Sequence, residues 1–409
     1  MRIPLLAAIA LVVIVLSCDY YIYRDIRSHI REKKKKPLAI IYLISAVLFW
    51  ILAIAVLVMP KRDDNVSLLP LMWMLFALLS IYIPKVLFCI CSLIGRLICR
   101  KARHNIGGYL GIALGVIVFI TMWWGALVTR YQIQVNHVDI ESAKLPKSFD
   151  GFKVVQFSDT HVGTWGNDTT FISALVDSIN AQNPDLILFT GDWVNRRSDE
   201  FEPFAKVFAR LNATNGVYGV YGNHDYSSYM DWQNDSEKAR DVFNMRTLVD
   251  SVSRIKMLNN SSEFISNGRD SIVLIGVENW GEPPFNQVGN LSASYVEDRT
   301  HKHGLNDDSF KLLMTHNPEH WKQVVRKTSN IDLTMSGHTH AMQMMLKIGE
   351  WKWSPSKYRY EHWAGLYDDK ASDGTPMFLY VNIGAGEVGF PARIGAAKPE
   401  LTVFTLHSM

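Results

Sequence analysis

Short clusters between residues 159 and 340 of this 409-residue chain carry side chains able to bind metal ions. They are Asp159 and His161 in SDTH, Asp192 after Gly191, the triplet Asn223-His224-Asp225, His316 in THNPEH, and His338 and His340 in SGHTH. Residues i and i+2 point to the same side of a strand but not of a helix, so His338 and His340 could leave one strand end together and hold a cation. Imidazole with carboxylate suits manganese, iron or zinc better than magnesium or calcium. One ion that also keeps water takes about four protein ligands at most. The surplus of donors suggests two ions with one carboxylate shared between them. Singly, each cluster has an ordinary reading: Gly-Asp and Gly-Asn-His are turn sequences, and His316 before Asn317-Pro318 could close a loop. Their joint occurrence, each behind an apolar run, points to one site.

The elements that must position these residues read as short buried strands. FKVVQF leads to Asp159, PDLILF to Asp192, GVYGVY to Asn223, FKLLM to His316 and IDLTM to His338. Helix-like segments at Thr169–Asn180 and Glu202–Leu211 lie between the early strands, and DSIVLIGVEN, MFLYVNIGAG and ELTVFTLH read as further strands. Such alternation predicts a layered α/β domain, whose active site gathers at the carboxyl ends of the strands. Glycines 191, 222 and 337 are expected to let the backbone turn sharply beside the ions.

The ordered series Asp159-x-His161, Gly191-Asp192, Gly222-Asn223-His224-Asp225, His316 and Gly337-His338-Thr339-His340 resembles the calcineurin-like metallophosphoesterases, over about Lys153 to Leu406. The ending NIGAGEVGFPARIGAAKPELTVFTL resembles their membrane-anchored bacterial branch. The resemblance implies a layered αββα sandwich of two mixed sheets and two divalent metal ions (Mn, Fe or Zn). It implies that Asp159, His161, Asp192 and His340 bind the first ion, and that Asp192 bridges to a second completed by Asn223, His316 and His338. It gives His224 the role of contacting phosphate and protonating the leaving group, with Asp225 orienting it. Two ions about 3.5–4 Å apart would polarise phosphoryl oxygens and generate a hydroxide near neutral pH. The expected activity is therefore hydrolysis of a phosphoester or phosphoanhydride by a metal-bound hydroxide, with no serine or cysteine nucleophile. Two departures stand out. Asn195 occupies the place where many members carry a second acid, and Ala341-Met342 stands where the branch usually has Gly-Gly.

The first third of the chain is of another kind. A bilayer span takes roughly 20 mainly apolar residues, and Ile3–Tyr23, Leu38–Met59, Leu68–Ile94 and Gly107–Val128 meet this. The expected organisation is a four-helix transmembrane region (1–128), a linker with a first strand (129–150) and the catalytic domain (151–409). Trp50, Tyr109, Trp123 and Trp124 suit interfacial belts. Lys85, beside Pro84, is expected to snorkel to the interface, with a polar pocket as the other option. The basic loops around Lys33–Lys36 and Arg96–Arg103 are expected to stay cytoplasmic. That puts the catalytic domain on the extracytoplasmic side of the cytoplasmic membrane. Val15-Leu16-Ser17-Cys18 loosely resembles a lipoprotein cleavage site, but cleavage would force the lysine run outside, so an uncleaved helix is adopted. All four cysteines lie before residue 128, and the domain needs no disulfides.

Hydrophobic residues make up 48% of the chain and its net charge is +3; the soluble part has no basic stripe, which argues against nucleic acid as a partner. Membrane anchoring makes a lipid-linked phosphoester one candidate substrate, beside soluble nucleotides or phosphosugars. A catalytically silent receptor would have lost ligands, and none is missing. A transporter would need several buried polar groups among the helices, of which Lys85 is the one found. The stretch WKWSPSKYRYEHWAGLY (351–367) offers Trp351, Trp353, Tyr358, Tyr360 and Trp363 to headgroups or a pocket wall, and Lys352, Lys357 and Arg359 to anions. Arg393 could reach a phosphate or form a salt bridge. His301, His303, His320 and His362 read as surface or packing residues, with His362 also able to touch substrate.

Overall fold

The computed structural model describes residues 5–29, 32–58, 65–98, 105–283, 285, 287–295 and 308–409. His301, His303 and the charged loop residues at 60–64 and 99–104 lie outside the described residues. The chain divides into two units, one comprising Met1–Val128 with Gly389–Ala392 and the other Thr129–Val388 with Arg393–Met409.

In the second unit the strands are β1 (Gln134–Ser142), β2 (Phe152–Phe157), β3 (Leu186–Phe189), β4 (Val217–Gly219) and β5 (Lys256–Met257). There follow β6 (Ser261–Asn267), β7 (Asp270–Val277), β8 (Lys311–Thr315), β9 (Leu333–Ser336) and β10 (Met344–Ile348). The last are β11 (Trp351–Trp353), β12 (Gly365–Lys370), β13 (Pro376–Val381), β14 (Ile394–Gly395) and β15 (Glu400–Ser408). One six-stranded sheet has the order β1-β15-β2-β3-β4-β5 and the other β12-β13-β9-β8-β7-β6. Both are mixed: β15 runs antiparallel to β2, and β7 antiparallel to β6, while β2-β3-β4 and β7-β8-β9 are parallel. Parallel strands covered on both faces read as continuous apolar runs, and all four residues of β3, LILF, are buried.

Three cores define the layers. Val154, Leu186, Leu188, Leu274, Leu312, Met314 and Leu333 pack between the sheets. The outer face of the first sheet meets the helices Thr170–Asn180 and Glu202–Phe208 through Val155, Phe157, Ile187 and Phe189. The first helix presents Phe171, Ile172, Leu175, Val176 and Ile179 at the three-to-four spacing of one buried face. The outer face of the second sheet packs on Trp321 and Val325 of a short helical segment. The result is an αββα sandwich.

The first unit consists of helices α1 (Leu5–His29), α2 (Glu32–Val58), α3 (Asn65–Ile98) and α4 (Ile106–Leu127). Among the described residues, three segments are long and apolar enough to cross a membrane: Lys36–Ala55, Leu69–Ile98 and Ile106–Tyr131. Gly107, Gly111 and Gly115 repeat every fourth residue along α4, and α3 closes against them. A Cβ at Gly107 would lie 2.2 Å from the Cys91 carbonyl oxygen, and one at Gly111 would lie 2.9 Å from the Phe88 Cα. Small residues at this spacing let helices in lipid approach closely.

The snorkelling expectation for Lys85 is corrected. Its Nζ lies 2.8 Å from Asp19 Oδ1, a carboxylate within the first apolar run. Tyr42 Oη (2.6 Å), Trp50 Nε1 (3.2 Å) and Tyr82 Oη (3.2 Å) also donate to Asp19. Trp50 thus serves this network through its indole N–H. An isolated charge in a low-dielectric interior is far costlier than a paired one, so the pair ties α1 to α3, and Tyr42 and Trp50 join α2 to the same carboxylate. Removing one partner of a buried pair costs about 3–5 kcal/mol. Lys85→Ala should therefore lower the thermal stability of the detergent-purified protein markedly, and Asp19→Asn combined with Lys85→Met should recover most of it. Equal stability of Lys85→Ala and the unmodified protein would show that the pair contributes nothing.

Candidate metal centre

The clustered residues all follow carboxyl ends of strands: Asp159 after β2, Asp192 after β3, Asn223 after β4, His316 after β8, and His338 and His340 after β9. They converge in two groups. In one, His340 Nε2 lies 3.2 Å from Asp159 Oδ1 and 3.1 Å from His161 Nε2. In the other, His316 Nε2 lies 3.1 Å from Asp192 Oδ2, 3.1 Å from Asn223 Oδ1 and 3.2 Å from His338 Nδ1. Asp192 Oδ2 is also 3.5 Å from His161 Nε2, so it stands between the groups. His224 adjoins the first group, its ring centroid 4.7 Å from that of His161.

Second contacts turn the donor atoms inward. His161 Nδ1 lies 3.0 Å from the Val194 carbonyl, and His316 Nδ1 lies 2.8 Å from that of Thr190. A ring that donates from Nδ1 leaves the Nε2 lone pair free for a cation. His338 is turned the other way: its Nε2 faces Tyr360 Oη at 3.0 Å, leaving Nδ1 toward the site. Asn223 Nδ2 donates to Tyr229 Oη at 2.6 Å, which aims Oδ1 at His316. One proton on His316 Nε2 could satisfy only one of the three acceptor-type atoms around it, whereas a cation satisfies all. The donor set fits divalent metal ions.

Charge is distributed accordingly. Burial disfavours a His316 imidazolium, yet the Asp192 charge outweighs it and pushes His316 up to about 9. Burial, then the His316 charge, presses His338 down to about 3. Burial and the neighbouring His224 hold His161 well below the usual imidazole range. Burial resists ionisation of Asp159, but the His340 charge prevails and keeps it below the usual carboxylate range.

The backbone here is strained. Asp159 (φ 52°), His161 (φ 38°), Asp192 (φ 65°), His338 (φ 75°) and His340 (φ 50°) all occupy the left-handed region, at a cost of order 1–3 kcal/mol each. The expectation for the glycines needs revision. Gly191 does turn sharply, with φ 97°, but Gly222 has φ −95°. A Cβ on Gly222 would lie 2.2 Å from Asp192 Oδ1, and one on Gly337 would lie 2.2 Å from Asp159 Oδ2. These two glycines make room for carboxylates.

Other expectations change. Asp225 does not orient His224: its carboxylate accepts the backbone N–H groups of Asp192 (3.0 Å), Trp193 (2.8 Å) and Gly222 (2.8 Å) and so shapes the Asp192 turn. His224 Nδ1 instead meets the backbone carbonyl of Asn195 at 2.6 Å, and its ring stacks on Tyr229. The Asn195 amide points away, donating to Thr164 Oγ1 and the Glu387 carbonyl. Arg393 is fully buried and donates to the carbonyls of Gly386 and Ile383, bracing the loop behind His340 rather than reaching outward. His320 bonds Thr315 and stacks on Trp280, and His362 packs on Trp321 and Tyr367; both lie apart from the clusters. Tyr229 and Tyr360 contribute through contacts for which the sequence carries no motif.

The profile of the calcineurin-like phosphoesterase family matches residues 152–342. A second, described as a probable calcineurin-like phosphoesterase transmembrane domain, matches residues 1–130. The chain is 30% identical over 283 residues to the Bacillus subtilis metallophosphoesterase YkuE, covering 68% of this chain and 87% of that one. It is 28% identical over 346 residues to a Danio rerio transmembrane protein with metallophosphoesterase domain, covering 81% of this chain and 72% of that one. The chain belongs to the calcineurin-like metallophosphoesterases, metal-dependent phosphoester hydrolases, and carries a transmembrane domain.

Ala341 (φ 48°) and Met342 (φ 46°), at the two positions where the resemblance leads to an expectation of Gly-Gly, continue a left-handed run from His340 to Gln343. Met342 is 44% exposed and has little packing to lose. Met342→Gly should raise stability by about 1 kcal/mol by relieving this strain, read as a higher unfolding midpoint of the purified protein. A lower midpoint would show that side-chain contacts dominate there.

Proposed function

We infer that the chain is a dinuclear phosphoesterase with an extracytoplasmic active site, acting on a lipid-linked phosphoester. The single observation that supports the dinuclear reading is the position of Asp192 Oδ2, 3.1 Å from His316 Nε2 and 3.5 Å from His161 Nε2. Asp159, His161 and His340 would hold one ion, Asn223, His316 and His338 the other, and Asp192 both. When bound, the ions supply Lewis-acid polarisation of the phosphoryl group and activation of water.

The remaining steps belong to the chain. His224 is held through Nδ1 by the Asn195 carbonyl, so Nε2 is the atom that would carry a proton to the departing alkoxide. Burial lowers its proton affinity, which makes the charged ring a stronger acid toward a leaving group. Asp225 keeps the Asp192 turn in shape through backbone bonds, and Tyr360 and Tyr229 fix the orientations of His338 and Asn223. The bilayer helices favour a substrate that resides in the membrane, and the lysine run at 33–36 favours a domain outside the cytoplasm.

Purified protein should hydrolyse a soluble bis-aryl phosphodiester with manganese and lose activity on chelation. Asp192→Ala should retain less than about one per cent of the rate, since metal affinity and charge neutralisation fail together. Intact activity in that variant would refute the shared-carboxylate assignment. Cells carrying only Asp192→Ala should accumulate the same phospholipid-like compound as cells lacking the protein; unchanged lipid profiles would remove the lipid-linked class. A phosphatase reporter fused after Met409 should be active on the extracytoplasmic side, and cytoplasm-only activity would reverse the orientation.

A further inference from the structure

The hairpin β10–β11 leaves an apolar face exposed. Its register pairs Leu346 with Trp353, Lys347 with Lys352 and Ile348 with Trp351. Alternation along a strand therefore puts Leu346, Ile348, Trp351 and Trp353 on one face and the two lysines on the other. A water-exposed hairpin normally packs the apolar face inward. On the other face Lys347 and Lys352 are exposed as well, and the Lys352 Nζ is tied down by donating to the Ala364 carbonyl at 2.5 Å, over the rings of Trp363 and Tyr367. The apolar face is left outside, with Ile348 76%, Trp351 55% and Leu346 49% exposed. Tyr358, 77% exposed, extends the strip through its contact with Trp353. Ile348 and Tyr358 are the most exposed large apolar side chains among the described residues of this domain.

We propose that this hairpin is a wedge that inserts into the interfacial layer of an anionic bilayer, so that the candidate metal centre opens at the lipid surface. Tryptophan and tyrosine beside aliphatic tips suit the boundary between headgroups and chains. Lys347 and Lys357 lie beside the apolar strip, Glu350 is the acid at the hairpin turn, and Arg359 pairs with Glu282 at 3.7 Å, a balance that favours anionic headgroups over a basic protein partner. Six residues (128–133) join β1 to α4, a helix long and apolar enough to cross a bilayer. The wedge is not a loose loop. Met344 and Met345 pair with Ile394 and Gly395 of β14, and β10 begins four residues after His340. The entry of lipid-borne substrate rests on the function proposed above; the insertion does not.

The full-length protein would be reconstituted in vesicles of phosphatidylglycerol and phosphatidylcholine at about 1:3. A spin label would be placed at Ile348→Cys and, as a control, at Arg269→Cys in the exposed β6–β7 turn, with the native-cysteine protein as baseline. Insertion predicts that the label at 348 meets dissolved oxygen far more than a water-soluble nickel chelate, while the label at 269 does the reverse. A label at 348 open to the nickel chelate overturns the proposal, as does one shielded from both, which would mark a contact with a second copy. Ile348→Glu with Trp351→Glu should then lose about tenfold or more turnover of an aryl phosphodiester bearing a hexadecyl chain in the same vesicles. The soluble bis-aryl substrate should be unaffected by that change; equal turnover of the lipid-borne substrate by variant and unmodified protein overturns the lipid-facing entry. Absence of turnover of either substrate by the unmodified protein would defeat the phosphoesterase reading and leave the labelling result standing.

Discussion

The contact between His316 Nε2 and Asp192 Oδ2 joins a residue at the end of one sheet to a residue at the end of the other, and the whole site is arranged around it. His316 Nδ1 reaches Thr190, two residues before Asp192, so one imidazole grips the same loop through both nitrogens. Gln156 adds a second tie, donating from the first sheet to the Ser336 carbonyl of the second. The sandwich core between the sheets fixes the distance at which these side chains meet. A shift in packing there would separate donors drawn from both halves, which is why a buried hydrophobic layer of ordinary composition controls a polar site at its rim.

Holding the donors this close requires a backbone that most sequences avoid. Left-handed conformations at Asp159, His161, Asp192, His338 and His340 are tolerable because the surroundings over-determine them: Asp225 collects the N–H groups of the Asp192 turn, and the His338 N–H is fixed by Asp159. The strain is balanced by hydrogen bonds to neighbouring carboxylates and by the dense cores beneath.

Much of this was legible beforehand. The apolar runs ending in Asp159, Asp192, Asn223, His316 and His338 announced strands and placed their chemistry at one edge, because burial on both faces and ligand residue types each leave a mark in composition. What stayed hidden involves either the main chain or pairing across long separations. The carbonyl of Asn195 that holds His224 has no residue-type signature. The true partners of Asp225 are backbone N–H groups, so its adjacency to His224 misled. Asp19 and Lys85 lie 66 residues apart, and a lone charge in an apolar run cannot disclose its counter-ion. Left-handed angles at non-glycine residues follow from tertiary constraint and are invisible to local propensity.

The use of a main-chain oxygen to position His224 has an evolutionary corollary. A peptide carbonyl is supplied by every amino acid, so the orienting group survives whatever side chain occupies position 195. A change of side chain at position 195 thus leaves the anchor of His224 in place, and the Asn195 amide is free to brace the loops around Thr164 and Glu387.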